Sequence, residues 1–522
     1  MGHDDMYESN TLPLRLHPHP LTRIPHLTPP PPLLHPQRGI SPVITALLYL
    51  VGIPLWLVVT IPSVAVALCV RVFYLLAGKR TKMRDDLLVD LPEVEEAGVP
   101  ARSDRPLDIV VLGATGLTGG ALVEYLTRQH PDLKIGLAGR TLKKLEAVRA
   151  ARGAAGQELI VADIGDLDAL VAMCKRTRVV ATTVGPFKRY GNRVYHACAH
   201  TGTHYADITG EADWVGHMGR AYDDVAKRTG AAIVSCCGVD SVPSDVGTYL
   251  ACTRFEEEHG SKARRVESVM TRFKGGAPSG TIDTVAGLAD GIDRLQRIAG
   301  SKSKDAKDAK DAKDAGFRTK VVGLLTPVAA SSKFKQWTIP FFMAMTNSNM
   351  VRRTNKILGY APDMQYTERW GFPDASSAFA MFLGFYTFSL PYILLHPLRK
   401  VVMQLGLLPK PGVGTAAVSI EVAAAGSLSM LIAASGTSAA SGEEVTTQLR
   451  FSGIGDPGVA HTCVCQAEIA RLLALGARNE GEGVRAGAGL TPVAAVGGAP
   501  LAEALEKTGL VFIDDVPAAL RR

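Results

Sequence analysis

A short apolar run followed by closely spaced glycines is the clearest chemical signal in the chain. Asp108–Leu112 is apolar and β-branched, as in a strand buried in a parallel sheet. The sequence GATGLTGG follows at once, and residues 121–128 then show helical apolar spacing. Glycines let the backbone approach a pyrophosphate, which the positive N-terminal end of a helix attracts. The pattern predicts dinucleotide binding through Gly113, Thr115, Gly116, Leu117, Thr118 and Gly119.

The end of the next strand indicates which dinucleotide binds. Residues 134–138 are strand-like and lead into Gly139 and Arg140, where an NAD-preferring site carries Asp or Glu for the ribose 2′-hydroxyl. The Arg140 guanidinium is always charged and suits a 2′-phosphate instead. Lys143 and Lys144 lie close behind, although either one alone also fits an exposed helix face. The sequence therefore predicts NADP(H) as the cofactor.

Two later strand ends complete the predicted cofactor site. Asp163 follows a third strand at 159–162, where its carboxylate reaches either the adenine amino group or the N-terminus of a helix at 167–174. A fourth strand, 179–184, ends in Val184, Gly185 and Pro186. We expect these three residues to lie beside the ribose and nicotinamide, because ligands bind at the carboxyl ends of parallel strands.

The candidate catalytic residues lie in the segment HYAD, which Glu211 follows. None of the 13 tyrosines has a lysine four residues later, so the proton-donating Tyr/Lys pair of short-chain dehydrogenases is not indicated. If residues 205–208 form a strand, Tyr205 and Asp207 share one face and His204 points to the other. Tyr205 is then the candidate proton donor and Asp207 the residue that orients it or the substrate. The alternative is a strand end whose acids cap neighbouring helices.

A further polar group follows the next predicted strand, 231–235. Asp240, Ser241 and Ser244 are placed to line the same cleft, although Ser244 and Asp245 equally well begin a helix. Cys236 and Cys237 are interpreted as buried packing rather than nucleophiles.

These elements alternate regularly between strand and helix over residues 107–250. Such alternation predicts an α/β fold built on a Rossmann-type, doubly wound parallel sheet with both faces covered. The same segments resemble the saccharopine dehydrogenase-like oxidoreductase family, and most closely its membrane- and lipid-droplet-associated branch, with relatives called trans-acting enoyl reductases. The motifs that carry the resemblance are DIVVLGATGLTGG (108–120), LAGR (137–140), VGPF-x-x-YG (184–191), GTHYADITGE (202–211) and GVDSVPSDVG (238–247).

The resemblance covers roughly residues 105–522 and implies the domain organisation. A Rossmann domain at 105–250 would precede a mixed α/β substrate domain at 251–480, and residues 481–522 would return to the first domain. It also implies a reductase or dehydrogenase connected with lipid or glycolipid metabolism.

Composition agrees with a large globular protein that handles no nucleic acid. The chain has 522 residues, enough for about three domains, and 47% of them are hydrophobic. The net charge of +7 is too dilute over this length to indicate a nucleic-acid partner. The eight cysteines show no C-x-x-C pair or zinc spacing, which predicts reduced thiols, no metal and a cytosolic catalytic body.

Two largely apolar segments predict attachment to a membrane, whereas two polar segments do not. Residues 1–38 form a Pro- and His-rich tail without hydrophobic periodicity, interpreted as disordered, and 39–78 are interpreted as a membrane segment. No charge occurs from 39 to 70, so either a single transmembrane helix or a Pro-bent hairpin fits, with a buried core helix as the alternative. The second uncharged run, 375–398, is expected to be an interfacial or shallow hairpin element, or else a helix pair buried in protein. The Lys/Asp/Ala repeat at 301–315 is typical of a solvated insertion.

Together these features predict a membrane-associated, NADPH-dependent oxidoreductase acting on a lipid or other hydrophobic substrate, at a lipid droplet or the endoplasmic reticulum. Two alternatives stay open: a true saccharopine dehydrogenase of lysine metabolism, and a non-catalytic NADPH-binding scaffold or sensor. The oligomeric state is open too, a homodimer included.

Overall fold

A computed structural model describes residues 91–275 (except 93, 95 and 97), 328–394, 426–478 and 483–522. The predicted N-terminal tail, the membrane segment 39–78, the insertion 301–315 and the end of the second apolar run therefore lie outside the described residues.

The first sheet, within these residues, has seven strands in the order β13-β6-β5-β4-β1-β2-β3, and every pairing is parallel. Its strands are β1 Leu107–Leu112, β2 Ile135–Gly139, β3 Glu158–Val161, β4 Thr177–Thr182, β5 His204–Asp207, β6 Ala232–Val234 and β13 Gly487–Leu490. The strand order reverses at β1, since β2 pairs with it on one side and β4 on the other. Ligands of doubly wound sheets bind above such a reversal.

Helices cover both faces of this sheet, as the alternation of strand and helix predicts. They are α1 Leu117–Gln129, α2 Leu142–Ala151, α3 Leu167–Cys174, α4 Phe187–Tyr190, α5 Asn192–His200, α6 Ala212–Thr229 and α7 Val242–His259. Along β1 the side chains alternate between two cores: Ile109 and Val111 pack on one face, Val110 and Leu112 on the other. Burial on both faces explains why the sequence of β1 is a continuous apolar run.

The second sheet is mixed, also with seven strands in the described residues, in the order β14-β12-β11-β7-β10-β9-β8. Its strands are β7 Arg265–Lys274, β8 Ala329–Ala330, β9 Trp337–Pro340, β10 Gln365–Phe372, β11 Ser427–Thr437, β12 Glu444–Ile454 and β14 Val511–Asp514. Here β7 and β10 run parallel, and the other pairings are antiparallel. The remaining helices are α8 Ala344–Leu358, α9 Ala375–Leu394, α10 Thr462–Arg478, α11 Pro492–Val496 and α12 Gly498–Lys507.

The two sheets share one continuous core. Apolar side chains of α7, α8 and α10 pack together with residues from one face of each sheet. The C-terminal segment, expected to return to the first domain, divides between the sheets: β13 lies beside β6, whereas β14 pairs with β12. This exchange of strands places the second sheet's helices against the carboxyl edge of the first.

The apolar run at 375–398 forms one continuous helix, α9, over its described part, rather than a hairpin or a helix pair. The ring of Phe385 packs against Trp370 of β10 and against Phe342. These aromatic contacts hold the helix on the second sheet. Among the described residues, no helix is both long enough and apolar enough to cross a bilayer.

Candidate functional site

The glycine turn after β1 has the geometry of a phosphate cradle. Gly113 has φ +90°, and a Cβ there would lie 2.8 Å from Val184 Cγ2. A Cβ on Gly119 would overlap the carbonyl oxygen of Gly113, so both positions need glycine. Thr115 and Gly116 are exposed, and α1 begins at Leu117 with no side-chain cap and no acidic residue in its first turn. The helix terminus is therefore open to an anion.

Arg140 stands at the predicted position, directly after β2. Its side chain is exposed and makes no hydrogen bond or ion pair within the described part of the chain. Helix α2 begins two residues later, its N-cap Thr141 forms no side-chain cap, and its first turn holds no acid. A guanidinium beside an uncapped helix N-terminus fits a phosphate group.

Asp163 lies in an exposed turn after β3, where its Oδ1 accepts a hydrogen bond from the Gly165 amide at 2.7 Å. It does not cap α3, which was one of the two roles that the sequence indicates for it. Asp166 caps that helix, because its carboxylate accepts from the Ala169 amide at 3.0 Å. Asp163 is thus left exposed at the adenine end of the predicted cofactor site.

Val184, Gly185 and Pro186 form the turn after β4, next to the glycine turn. Gly185 is exposed, its neighbours are half-buried, and the Gly185–Pro186 peptide bond is cis. The contact between Gly113 and Val184 places both turns at the reversal of strand order. The predicted cofactor residues of β1 and β4 are therefore brought together at one edge of the sheet.

The predicted catalytic pair lies at the end of β5 but below the surface. Asp207 has no exposed area, and its carboxylate accepts hydrogen bonds from the amides of Thr209 and Cys236, each at 3.0 Å, and from Ser235 Oγ at 2.9 Å. Burial raises the pKa of Asp207 to about 6. These bonds join the turns after β5 and β6, as expected for a strand-end cap.

Tyr205 is also fully buried, with its ring against Tyr195, and burial followed by the Asp207 charge raises its pKa. The neighbouring groups are likewise engaged inside the protein. His204 Nδ1 accepts from the Ala232 amide at 2.9 Å, and Glu211 accepts from the Lys188 amide at 2.8 Å. Tyr205 and Asp207 share the strand end, as predicted, but offer no exposed atom to a bound molecule.

The turn after β6 differs from that after β5. Cys236 adopts φ +63°, which is strained for a residue other than glycine, and burial raises the pKa of its thiol, as expected for packing. Asp240 follows in the same turn, half-buried, and its carboxylate makes no hydrogen bond or ion pair within the described residues. Burial raises its pKa to about 6.

The second domain contacts this turn through α8. Asn347 Nδ2 donates to the Asp240 carbonyl oxygen and to Glu368 Oε1, both at 2.8 Å, while Asn347 Oδ1 accepts from Ser241 Oγ at 2.8 Å. Thr346 Oγ1 donates to the Gly210 carbonyl oxygen at 3.0 Å. Burial raises the pKa of Glu368 to about 7. Sequence reasoning missed Asn347 and Glu368, because neither belongs to a local motif.

The start of α10 closes the site from the other side. Thr462 Oγ1 accepts from the Val239 amide at 3.4 Å, and Cys463 Sγ donates to the Thr118 carbonyl oxygen at 3.4 Å. Gln466 Nε2 donates to the carbonyl oxygens of Thr182 and Ala206, at the ends of β4 and β5, both at 3.0 Å. Its Oε1 is buried without a hydrogen-bond partner among the described residues. Two adjacent residues of α10, Thr462 and Cys463, therefore contact the Asp240 turn and the glycine turn.

The site as a whole fits NADP(H). It combines a glycine cradle, an exposed guanidinium after β2 and, at the same sheet edge, contacts from α8 and α10. No cluster of His, Cys, Asp or Glu suited to a metal occurs in the part of the chain that the structure describes. Seven of the eight cysteines are described, and all seven are free and buried.

Comparisons with known proteins support this assignment. Residues 109–234 match the family model of the saccharopine dehydrogenase NADP-binding domain. A Mycobacterium tuberculosis protein named as a putative trans-acting enoyl reductase is 34% identical over 424 residues, covering 78% of this chain and 97% of the relative. A trans-acting enoyl reductase of Mycobacterium leprae is 32% identical, covering 52% of this chain and 69% of the relative.

Among solved structures, apo saccharopine dehydrogenase (L-Glu forming) from Saccharomyces cerevisiae aligns with a TM-score of 0.47 and 12% identity, covering 79% of this chain and 100% of that one. The domain match and the near full-length relative together assign both cofactor and enzyme class: NADP(H) and an NAD(P)-dependent oxidoreductase. The chain belongs to the saccharopine dehydrogenase-like family, together with the proteins named trans-acting enoyl reductases.

Proposed function

We propose that this oxidoreductase uses NADPH to reduce the carbon–carbon double bond of an apolar enoyl substrate, and that it works at a lipid surface. The names of its relatives give the reaction class. The apolar wall beside the cofactor edge supports the substrate class.

That wall is the observation on which the proposal depends. Phe341, Phe342, Trp370, Phe372 and Phe385 form a chain of packed rings, with neighbouring centroids 4.7–6.2 Å apart. Phe342 lies just before α8, whose first turn contacts the carboxyl edge of the first sheet. Only the first residues of α8 therefore lie between Phe342 and the carboxyl edge of the first sheet, where the cofactor is predicted to bind. Such an apolar surface beside a few polar groups is typical of a site for an apolar ligand.

Exposed apolar side chains around the same wall support attachment to lipid. Trp337 is 38% exposed, Met345 47% and Met381 37%. Helix α9, which carries Met381, has no charged residue along its 20 positions. Burial of such side chains at an interface is worth roughly 1.5–3 kcal/mol each when complete. The membrane segment predicted at 39–78, outside the described residues, would add to this attachment.

The chain's own residues supply binding, orientation and exclusion of water. NADPH, when bound, supplies the hydride. The turn at Gly113–Gly119 would hold its pyrophosphate and Arg140 its 2′-phosphate, while Gln466 fixes the ends of β4 and β5. Helices α8 and α10 bond to the turns of this edge, and a site closed to water strengthens the electrostatic interactions inside it.

Turnover by the purified full-length protein tests the proposal. We expect NADPH oxidation with a long-chain trans-2-enoyl thioester, and at least about tenfold lower kcat/KM with a four-carbon analogue, because the shorter chain loses contact with the wall. Turnover of saccharopine with NADP⁺ instead would contradict the proposal and favour the amino-acid alternative.

Flotation with phosphatidylcholine vesicles tests the lipid surface separately. We expect the variant M345S/M381S to float less than the wild type, whereas the matched variant M345L/M381L keeps its apolar area and floats as the wild type does. Equal flotation of both variants would contradict a role for this surface.

A further inference from the structure

We propose that Asp240 is the proton donor of the reduction, held in place by Asn347. This inference rests on the proposed reaction, which adds two electrons and two hydrogens to a double bond. The cofactor accounts for one hydrogen and both electrons. A proton donor at the site accounts for the other, and the sequence pattern alone makes Tyr205 that donor and Asp207 the residue that orients it or the substrate.

The bonding of the acids at the carboxyl edge singles out Asp240. Asp207 accepts three hydrogen bonds, Glu211 accepts from the Lys188 amide, and Asp245 accepts from the Val493 amide. Glu368 accepts from Asn347, Tyr366 and Ser244. Asp240 alone among these five acids makes no hydrogen bond or ion pair within the described residues. A half-buried carboxylate that bonds to no other group of the described fold is available to a ligand.

The position of the Asp240 turn agrees with this role. Thr462 contacts the turn at Val239, and the next residue, Cys463, contacts the glycine turn at Thr118. The acid therefore lies on the same side of the sheet edge as the cofactor cradle. Asn347 fixes the turn by its bond to the Asp240 carbonyl oxygen, and its other bonds go to Ser241 and Glu368 rather than to the Asp240 carboxylate.

The proposed step balances with the groups named. A hydride from NADPH adds to the β-carbon of the enoyl group, so the π electron pair moves onto the α-carbon and carbonyl oxygen. The Asp240 carboxyl proton then adds to the α-carbon, giving the saturated acyl product, NADP⁺ and a carboxylate. Water reprotonates Asp240 before the next turnover. Its raised pKa favours the protonated form that this step needs.

The substitution Asp240→Asn tests the proposal in the full-length protein. We expect kcat to fall by at least about a hundredfold while the Kd for NADPH changes less than about twofold, because general acids typically contribute roughly 10²- to 10⁴-fold. Asp240→Glu should restore part of the rate. The control Asp224→Asn removes an exposed carboxylate on α6 and should leave both quantities unchanged. Wild-type kcat in D240N would overturn the proposal.

A second measurement is independent of the substrate. Ionisation of an Asp240 carboxylate that faces the nicotinamide favours the positively charged NADP⁺ over NADPH, so the ratio of the affinity for NADP⁺ to that for NADPH should rise more between about pH 5 and pH 8 in the wild type than in D240N. Other titratable groups around the turn are present in both proteins: Asp207, Glu211, Cys236, Cys237, Asp245, Glu368 and Cys465. The same ratio in both proteins would overturn the proposal. If this affinity ratio rises with pH in the wild type but no enoyl substrate is reduced, the proposed substrate is wrong. The position of Asp240 close to the nicotinamide would then still be supported.

Discussion

The turns after β5 and β6 each present an aspartate at the same edge of the first sheet, yet the two residues have opposite surroundings. Asp207 is fully buried and accepts three hydrogen bonds, two of them from backbone amides. Asp240 is half-buried and makes none in the described part of the chain. A saturated carboxylate holds the protein's own backbone, whereas an unpartnered one is available to a ligand. The structure therefore accounts for Asp207 by the backbone that it holds, and Asp240 is the acid to which our proposal gives a catalytic role.

The largest effect expected from this comparison is the loss of stability in Asp207→Ala. The substitution leaves the amides of Thr209 and Cys236 and the Ser235 hydroxyl without an acceptor. Unsatisfied buried donors cost about 1–3 kcal/mol each, so we expect the free energy of unfolding to fall by about 4 kcal/mol in chemical denaturation. Asp240→Ala, the matched change, should cost less than about 1 kcal/mol because it removes no hydrogen bond.

The isosteric change Asp207→Asn separates capping from catalysis. Its side-chain oxygen still accepts the two backbone amides, so the fold and most of the turnover should survive. A folded D207N protein without activity would instead support the catalytic role that the sequence pattern assigns to Asp207.

An intermediate effect is expected for Arg140→Ala, since Arg140 is an exposed cation at this edge with no partner in the described residues. Loss of a charge-assisted bond to the 2′-phosphate costs about 2 kcal/mol, or roughly thirtyfold in the Kd for NADPH measured by calorimetry. The Kd for NADH should not change, because NADH lacks that phosphate. Arg149→Ala, near the other end of α2, is the matched control. An unchanged preference for NADPH in R140A would contradict the assignment.

The smallest effect is the dependence of stability on pH at Asp240. Burial raises the pKa of this carboxyl from its ordinary value of 3.8 to about 6, so the folded state disfavours the ionised form. Between about pH 4 and pH 6, wild-type stability should therefore fall relative to Asp240→Asn, and it should stay lower above about pH 6. Allowing for solvent at this half-buried position, we expect a difference of about 1 kcal/mol from thermal unfolding at about pH 4 and pH 8. If stability depends on pH in the same way in both proteins, folding does not raise the pKa of the Asp240 carboxyl, which would contradict this prediction.

The elements of the first sheet are largely predictable, since their signals are local. The sequence predicts strand, strand and helix at 108–112, 134–138 and 167–174, and the structure has Leu107–Leu112, Ile135–Gly139 and Leu167–Cys174. Buried parallel strands are apolar runs in the sequence, and a glycine turn must follow β1 wherever a helix packs so closely on it. The boundaries of these three elements differ by at most one residue, whereas β4, predicted at 179–184, is Thr177–Thr182 and α1, predicted from 121, begins at Leu117. Strand ends depend on pairing with a neighbouring strand, which the local sequence does not show.

The acids of the site are harder to assign. The period of a β-strand places Tyr205 and Asp207 together at the end of β5, but it cannot show that both are enclosed. Asp207 is saturated by the amide of Cys236 and the hydroxyl of Ser235, which lie 29 and 28 residues away along the chain. Asn347, which holds the Asp240 turn, lies 107 residues from Asp240 along the chain, so no local sequence pattern predicts the contact.

The amino-acid order by itself determined the glycine cradle, the cation that follows β2 and the choice of NADP(H), because each depends on a few adjacent residues and on backbone conformations that glycine adopts most easily. Tertiary structure alone decided which polar groups remain unpartnered. Hydrogen-bond saturation is set by donors and acceptors from distant segments, above all from the turn after β6, from α8 and from α10, and these meet only in the folded chain.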